Sequence, residues 1–257
     1  MKKKVFGFIK KSLFGFEEHS DEPKPSEDLT AKKEVKTNFI GLEKKSGELN
    51  SADVEKKLRE INLFGVFNKK DELGTFKTTL LGVHNILNTT GAIVAAHMLG
   101  LSNAHIQNAL WQFTGSHRRL QKVSDTPMIY DDYGHHPTEL ATTIAALRVA
   151  YPSKKLIVAF QPHTYSRTKK FLKQFAKALT KADMVIILDI YGSREGLPKN
   201  AVHAKNLVSG IKQCGGKAIY GGNLEQAALH IKKLLKPTTL LITIGAGDVW
   251  KLHSLLK

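Results

Sequence analysis

The sequence predicts an α/β protein built on a doubly wound, mostly parallel β-sheet. Three features of the chain after residue 127 predict this fold. Apolar runs of strand length alternate with segments of helical pattern, which is the rhythm of βαβ units. The runs are apolar along their whole length, as expected of strands that helices cover on both faces. Polar or glycine-rich segments follow four of the runs, where such sheets bind their ligands.

Five strands and five helices are predicted in this part of the chain. The strands have the sequences MIYDD, KLIVAF, MVIILDIY, KAIYG and TLLITIG. The helices that follow them cover residues 138–149, 168–179, 201–211, 224–235 and 248–256. Pro137 marks the start of the first helix, because proline fits the first helical position.

The chain before residue 128 has a different pattern. Its first residues are polar and charge-mixed, which favours a flexible arm. Residues 62–67 and 75–80 flank the turn-like NKKDELG and predict a β-hairpin. Two helices follow, one ending at Gly100 and one capped at its start by Ser102. We therefore divide the chain into an arm (1–36), a β-rich segment (37–83), a helical connection (84–122) and the sheet domain (123–257).

The charge of the chain favours phosphate-bearing partners. The 257 residues include 39 Lys and Arg against 23 Asp and Glu, a formal net charge of +16. The lysines are spread over the whole chain without a nucleic-acid-binding motif, so no nucleic acid is expected as a partner. The single cysteine, Cys214, cannot form an internal disulfide, and no apolar run nears the ~20 residues that span a bilayer. These features predict a cytoplasmic protein with no transmembrane segment.

Polar side chains gather where the predicted strands end, and we expect them to share one edge of the sheet. Asp131 and Asp132 would bind ribose hydroxyls or a metal, or would act as turn and cap residues. His135 and His136 would point to opposite sides of an extended segment, so they would not bind the same metal. Arg167 opens a helix and suits a phosphate or a carboxylate, or else is a surface arginine.

Further candidates lie upstream of the sheet. Asn85 and Asn88 open the first helix, where their amides would read a purine edge or cap the helix. Arg118 and Arg119 would form a phosphate clamp or a stacking surface. The chain has no G-x-x-x-x-G-K-[ST] motif and so no phosphate-cradling loop of its own. With one cysteine and no H-E-x-x-H motif, no zinc site is expected.

Five sequence segments occur together in the order of a known family. They are GVHNILN, FTGSHRRL, DDYGHHPTE, FQPHTYSRT and GAGD. Together they resemble the C-terminal part of the alanine-adding branch of the Mur ligase family, and the third and fourth segments in combination are specific to that branch. The resemblance covers residues 38–257. It implies a Rossmann-like C-terminal ligase domain at 123–257 and makes residues 37–83 a β-rich remnant of the family's central ATPase domain.

The resemblance implies an ATP-dependent ligase of peptidoglycan precursor synthesis. A complete member uses ATP and Mg²⁺ to form an acyl phosphate on UDP-N-acetylmuramate, which the amine of L-alanine then attacks. The UDP-binding domain and the P-loop half of the central domain, with most Mg²⁺ ligands, have no counterpart in these residues. We therefore expect the chain to be inactive alone and to need a separate chain carrying those parts. The alternatives are a non-catalytic nucleotide-binding module and, less favoured by the motifs, a metal-dependent hydrolase.

The resemblance also assigns roles to individual residues, none of them catalytic in the isolated chain and none a metal ligand. The nucleotide-binding residues are Asn85, Asn88, Arg119 and Asp132, with the two asparagines on adenine and the aspartate on ribose. The residues facing the muramyl and alanine substrates are Tyr133, His135, His163 and Arg167. The chain departs from the pattern at Thr164, where many members have Arg, and this would remove one contact to an anion.

Overall fold

The structure is a computed structural model that describes residues 62–68, 71–196 and 198–256. The predicted arm and the start of the β-rich segment lie outside the described residues. The chain divides into two compact units, of which one includes Leu63–Phe76 and the other includes the chain from Lys77 onward. Within the described ranges, no helix has both the length and the apolar character needed to cross a membrane.

The predicted hairpin is confirmed. Strand β1 covers Asn62–Asn68 and strand β2 covers Asp71–Thr78. The second strand begins earlier than predicted, because Asp71–Gly74 belongs to the strand and not to the turn. Within β1, Phe64 and Val66 are buried while Gly65 and Phe67 are exposed, which is the period-two pattern of a half-buried strand.

Two helices follow the hairpin, as predicted. Helix α1 covers Val83–Met98, and helix α2 covers Asn103–Gln112. Ser102 caps α2, since its hydroxyl accepts a hydrogen bond from the backbone N–H of His105.

The main sheet has six strands, and it contains the five predicted ones. They are β3 (Gln121–Asp125), β4 (Met128–Asp132), β5 (Lys155–Phe160), β6 (Met184–Leu188), β7 (Ala218–Gly222) and β8 (Thr239–Ile244). Their order is β3-β4-β8-β5-β6-β7, with β3 antiparallel to β4 and all other pairs parallel. Strand β8 lies in the middle, where Ile242 pairs with both Tyr130 and Val158. The sheet is therefore mostly parallel, as the sequence predicts.

Strand β3 is absent from the sequence prediction. Its sequence, QKVSD, has no apolar run, because it is an edge strand with one neighbour and a largely exposed surface. It starts at Gln121, two residues before the expected start of the sheet domain.

The helices lie where the sequence predicts them, but their boundaries differ, one of them is broken in two, and the last begins with a 3₁₀ turn. They are α3 (Pro137–Ala150), α4 (Tyr165–Lys170), α5 (Leu172–Leu179), α6 (Ala204–Gln213), α7 (Leu224–Leu234), a 3₁₀ turn (Val249–Lys251) and α8 (Leu252–Leu255). The single helix predicted over 168–179 is wrong, since α4 begins earlier and the helix breaks at Phe171 (φ −109°, ψ 18°). The helix predicted from residue 201 starts at Ala204, because the His203 side chain caps it there.

Apolar clusters cover both faces of the sheet. One contains Val158 and Phe160 with residues of α3, α5 and α6, and the other contains Ile157 and Ala159 with residues of α7 and α8. Neighbouring residues of β5 thus face opposite layers, and every residue from Leu156 to Phe160 is buried. This explains why the central strands are apolar along their whole length.

A substitution in the turn after β8 can test how tightly the carboxyl edge of the sheet is packed. Gly245 has φ +155°, and a Cβ there would lie 2.8 Å from the backbone oxygen of Gln161. We expect Gly245→Ala to lower the free energy of unfolding by about 1–3 kcal/mol, the usual cost of overpacking. Gly196→Ala is the matched control, since a Cβ at Gly196 has open space. Urea titration measures both, and equal midpoints for the two variants would contradict the expectation.

Candidate functional site

A cavity of about 580 Å³ lies beside the carboxyl end of β4. Its wall comes from α1, the end of α2, the turn before β3, the end of β4 and the start of α3. The four residues predicted to bind a nucleotide all line it: Asn85, Asn88, Arg119 and Asp132. Three separate segments of the sequence therefore meet in one cavity, whose size is in the range of small-molecule sites.

The two asparagines stand on the first two turns of α1. They do not cap the helix, since the N-cap position is Gly82. The side-chain amide of Asn85 donates to the carbonyl of Leu81 at 2.8 Å, which orients it, while Asn88 is exposed. Gly82 has φ +91° and lets the start of α1 lie close to α3, because a Cβ on Gly82 would lie 2.7 Å from the Cβ of Ala146.

Asp132 is the buried acid of the cavity. Its two oxygens accept the backbone N–H groups of Leu120 and Gly134, each at 2.7 Å. Burial raises the pKa of Asp132, although the two N–H groups and the nearby Arg119 act in the opposite direction. Asp132 therefore both holds the turns next to it and lines the cavity, whereas the sequence analysis treated a turn residue and a ligand-binding residue as alternatives.

Arg119 is the accessible cation of the cavity, with 54% of its side chain exposed. Its guanidinium carbon lies 5.6 Å from the centre of the Tyr133 ring, and NH1 lies 4.0 Å from Glu139. A guanidinium held at an aromatic face with free N–H groups suits a phosphate.

Glu139 is a cavity residue that the sequence interpretation missed. Its carboxylate accepts the backbone N–H groups of His135 (2.7 Å) and His136 (2.9 Å), and the His136 ring in turn accepts from Thr138. Burial raises the pKa of Glu139, but these hydrogen bonds, together with the nearby His135 and Arg119, outweigh burial and leave the pKa lowered. The sequence does contain the signal of a capping box: His136 at the N-cap, Pro137 at the first helical position and Glu139 three residues after the cap.

The four residues predicted to face the other substrates also come together. The rings of Tyr133 and His135 have centres 5.6 Å apart, those of His135 and His163 6.0 Å apart, and Arg167 reaches His163. Tyr191, which the sequence interpretation did not select, stacks on His163 at 5.7 Å and pairs with it in a parallel bridge. We call these five residues the ring cluster. His136 lies apart from it, against Phe171, as its opposite orientation predicts.

The hydrogen bonds of the ring cluster fix where the ring protons lie. A guanidinium only donates, so Nδ1 of His163 accepts from NH1 of Arg167 (3.2 Å) and the proton of neutral His163 is on Nε2. Nδ1 of His135 lies 3.2 Å from the carbonyl of Tyr133, which only accepts, so that Nδ1 carries a proton. Burial lowers the pKa of His163, and the nearby Arg167 and His135 lower it further.

Thr164 holds the turn that presents Arg167. It has φ +65°, and its hydroxyl accepts from the backbone N–H of Arg167, while Glu195 binds the backbone and hydroxyl of the adjacent Ser166. Thr164 therefore caps α4.

The described residues offer no multidentate metal centre. In the part of the chain that the structure describes, no three His, Cys, Asp or Glu side chains lie close enough together to hold a metal ion.

A model of the Mur ligase glutamate ligase domain matches residues 118–247. Among curated relatives, the UDP-N-acetylmuramate–L-alanine ligase of Desulforamulus reducens is 38% identical over 190 residues, which is 73% of this chain and 41% of that protein. The ligase of the same name from Acetivibrio thermocellus is 36% identical over 228 residues, 87% of this chain and 48% of that protein. The chain thus spans less than half the length of these relatives.

The solved structures give the same fold. The UDP-N-acetylmuramate–alanine ligase of Thermotoga maritima aligns with a TM-score of 0.62 at 24% identity, over 77% of this chain and 45% of that one. A pseudomurein peptide ligase of Methanothermus fervidus aligns with a TM-score of 0.56 at 21% identity.

The contact between Arg167 and His163 can be tested by titration. We expect Arg167→Met to raise the pKa of His163, because the variant removes a nearby positive charge and the donor that holds Nδ1 unprotonated. The imidazole NMR signals measure this pKa, and a His163→Gln spectrum identifies them.

Lys170→Met is the control, since it removes a positive charge from the same helix at the side of Phe171. If both variants move the pKa of His163 equally, the direct contact is not its cause.

Proposed function

The chain belongs to the Mur ligase family, and from this premise we propose that it forms the C-terminal part of an ATP-dependent amide ligase. The reaction joins L-alanine to UDP-N-acetylmuramate in peptidoglycan precursor synthesis. The single observation that supports this most strongly is the convergence of Asn85, Asn88, Arg119 and Asp132 on one cavity. The curated relatives carry the name of this activity.

The cavity would hold the nucleotide of ATP. The amides of Asn85 and Asn88 can donate to and accept from an adenine edge, and the Asp132 carboxylate can accept from ribose hydroxyls. Arg119 would lie along the phosphates, held in place by Tyr133 and Glu139. Each group has the chemistry that its part of the nucleotide requires.

Mg²⁺ would neutralise the phosphate oxygens when bound. Asp132 and Glu139 are the carboxylates of the cavity, and both already accept backbone N–H groups. We therefore propose that the Mg²⁺ ligands come mainly from the part of the ligase that lies outside these residues.

The ring cluster would face the muramyl and alanine groups. In the reaction, a carboxylate oxygen attacks the γ-phosphorus of ATP and releases ADP, and the amine then attacks the carbonyl carbon of the acyl phosphate. The amine loses a proton and phosphate leaves. The Nε2–H of His163 and the guanidinium of Arg167 can stabilise negative oxygen, and Nε2 of neutral His135 can accept a proton.

A second candidate function is a nucleotide-binding module without catalysis. Two observations favour it. Residues of this chain alone line the cavity, and the sequence has no G-x-x-x-x-G-K-[ST] motif for phosphate transfer. In the ligase function, by contrast, a phosphate loop with that motif comes from outside these 257 residues. Both functions require the same cavity to bind a nucleotide.

Nucleotide binding is the first test. We expect the purified chain to bind ATP, and Arg119→Met to weaken the binding by about tenfold or more, because a hydrogen bond to a charged group contributes about 1.5–3 kcal/mol. Lys212→Met, which removes a positive charge from the exposed end of α6, is the control. Isothermal titration calorimetry measures the affinities. Equal affinities for wild type and Arg119→Met would place the nucleotide elsewhere.

Ligation is the second test. The 257 residues alone should release no phosphate that depends on both UDP-N-acetylmuramate and L-alanine, because their sequence has no G-x-x-x-x-G-K-[ST] motif to bind the γ-phosphate. Co-expression with a chain that carries the P-loop and UDP-binding parts should restore this release. Dependence on both substrates with the chain alone would contradict the proposal. Binding of ATP without restored ligation would favour the non-catalytic module.

A further inference from the structure

The adjacent arginines and the adjacent aspartates divide into an outer pair and an inner pair. The outer pair, Arg119 and Asp132, lines the cavity. The inner pair, Arg118 and Asp131, has only 11% and 2% of its side chains exposed, and Nε lies 2.8 Å from Oδ2. The sequence suggested that the two arginines would form a phosphate clamp or a stacking surface. The structure turns Arg118 inward, with its guanidinium carbon 5.2 Å from the centre of the Tyr133 ring.

The guanidinium of Arg118 joins the ends of two neighbouring strands. Its Nε donates to Asp131 at the end of β4, and its terminal nitrogens donate to the carbonyls of Gly245 (2.5 Å) and Gly247 (3.2 Å) after β8. A planar guanidinium can make these bonds together, whereas the ammonium of Lys is a compact point charge. The three contacts therefore require an arginine.

The second oxygen of Asp131 is held from the other side. It accepts from the hydroxyl of Thr243 at 2.6 Å, and because that hydroxyl has one hydrogen, Thr243 accepts in turn from Nε2 of His253 at 2.8 Å. Burial lowers the pKa of His253, with Arg118 acting in the same direction and Asp131 against it. The chain of hydrogen bonds thus runs from Arg118 to helix α8 and fixes the Asp131 carboxylate.

The backbone around Arg118 forms a turn against the cavity. Arg118 and Leu120 both have positive φ, 56° and 46°. The carbonyl of Arg118 accepts from the N–H of Tyr133 at 2.7 Å, and the N–H of Leu120 donates to Asp132. Arg119 lies between these two strained residues, so its direction depends on the contacts that hold them.

We propose that Arg118, with Asp131 as its counter-ion, is a positioning residue for the nucleotide cavity and acts through Arg119 and Asp132. The fork of Arg118 holds the turn before β3 against the ends of β4 and β8. That arrangement places the Arg119 guanidinium and the Asp132 carboxylate in the cavity wall. This role rests on the proposed nucleotide site.

The experiment compares two arginines with similar contacts at different places. Arg118→Lys keeps the charge and loses the fork. Arg148→Lys is the matched control, since Arg148 also binds a carboxylate, Asp183 at 2.8 Å, and a backbone carbonyl, that of Lys181, away from the cavity. Isothermal titration with ADP on the full chain gives the affinity, and thermal unfolding gives the stability. We expect Arg118→Lys to weaken ADP binding about tenfold and Arg148→Lys to leave it within twofold of wild type.

A double variant separates positioning from stability. In Arg118→Met/Asp131→Leu, apolar side chains of similar size replace the buried ion pair, an exchange that commonly preserves or raises stability. We expect this variant to remain folded with a cooperative melting transition and to bind ADP at least tenfold more weakly, because Gly245 and Gly247 lose their common anchor.

Three outcomes would overturn the positioning role of Arg118. ADP affinity near the wild-type value in Arg118→Lys, or in the folded double variant, would overturn the positioning role while leaving the nucleotide site in place. Equal losses of affinity in Arg118→Lys and Arg148→Lys would reduce the effect to general destabilisation and also overturn it. If wild type itself binds no ADP, the proposed nucleotide site fails and the positioning role fails with it.

Discussion

The parallel pairing of β8 between β4 and β5 is the constraint on which the rest of the structure depends. Residues distant in the sequence share one edge because parallel strands end on the same side. The backbone of Gly245 donates to the carbonyl of Asp132, and the backbone of Gln161 donates to that of Ile244, so the three strand ends are joined directly. The apolar layers on both faces keep this edge as the place where polar side chains can collect.

Several polar side chains at that edge form hydrogen bonds within the protein and so stabilise the fold. Gln161 binds both Asp248 and the backbone of Val249, Glu139 holds the start of α3, and Asp132 holds two turns. Buried polar groups need such partners, since an unpaired one is costly. The side chains left with free hydrogen-bonding capacity, such as the guanidinium of Arg119 at the cavity, are the ones that would bind the proposed nucleotide.

Tyr133 connects the two parts of the candidate site. Its ring lies near the guanidinium groups of Arg118 and Arg119 on the side of the cavity and near His135 on the side of the ring cluster. A ligase must bring a phosphorylated carboxylate and an amine together, and positioning supplies much of such catalysis. The shared aromatic side chain gives the two parts a fixed spacing, which suits the proposed reaction between a nucleotide and a second substrate.

The sequence by itself determined the five parallel strands, the hairpin, the family and the segments that reach the site, because apolar runs and motifs are local patterns. It did not determine strand β3, whose polar sequence forms an edge only through pairing with β4, or the break at Phe171. Only the tertiary structure decided which member of each adjacent pair faces the cavity. Arg118 and Arg119 have the same chemistry, and what separates them is the buried carboxylate of Asp131 and the two glycine carbonyls, which come from strand ends that lie next to each other only in the folded sheet.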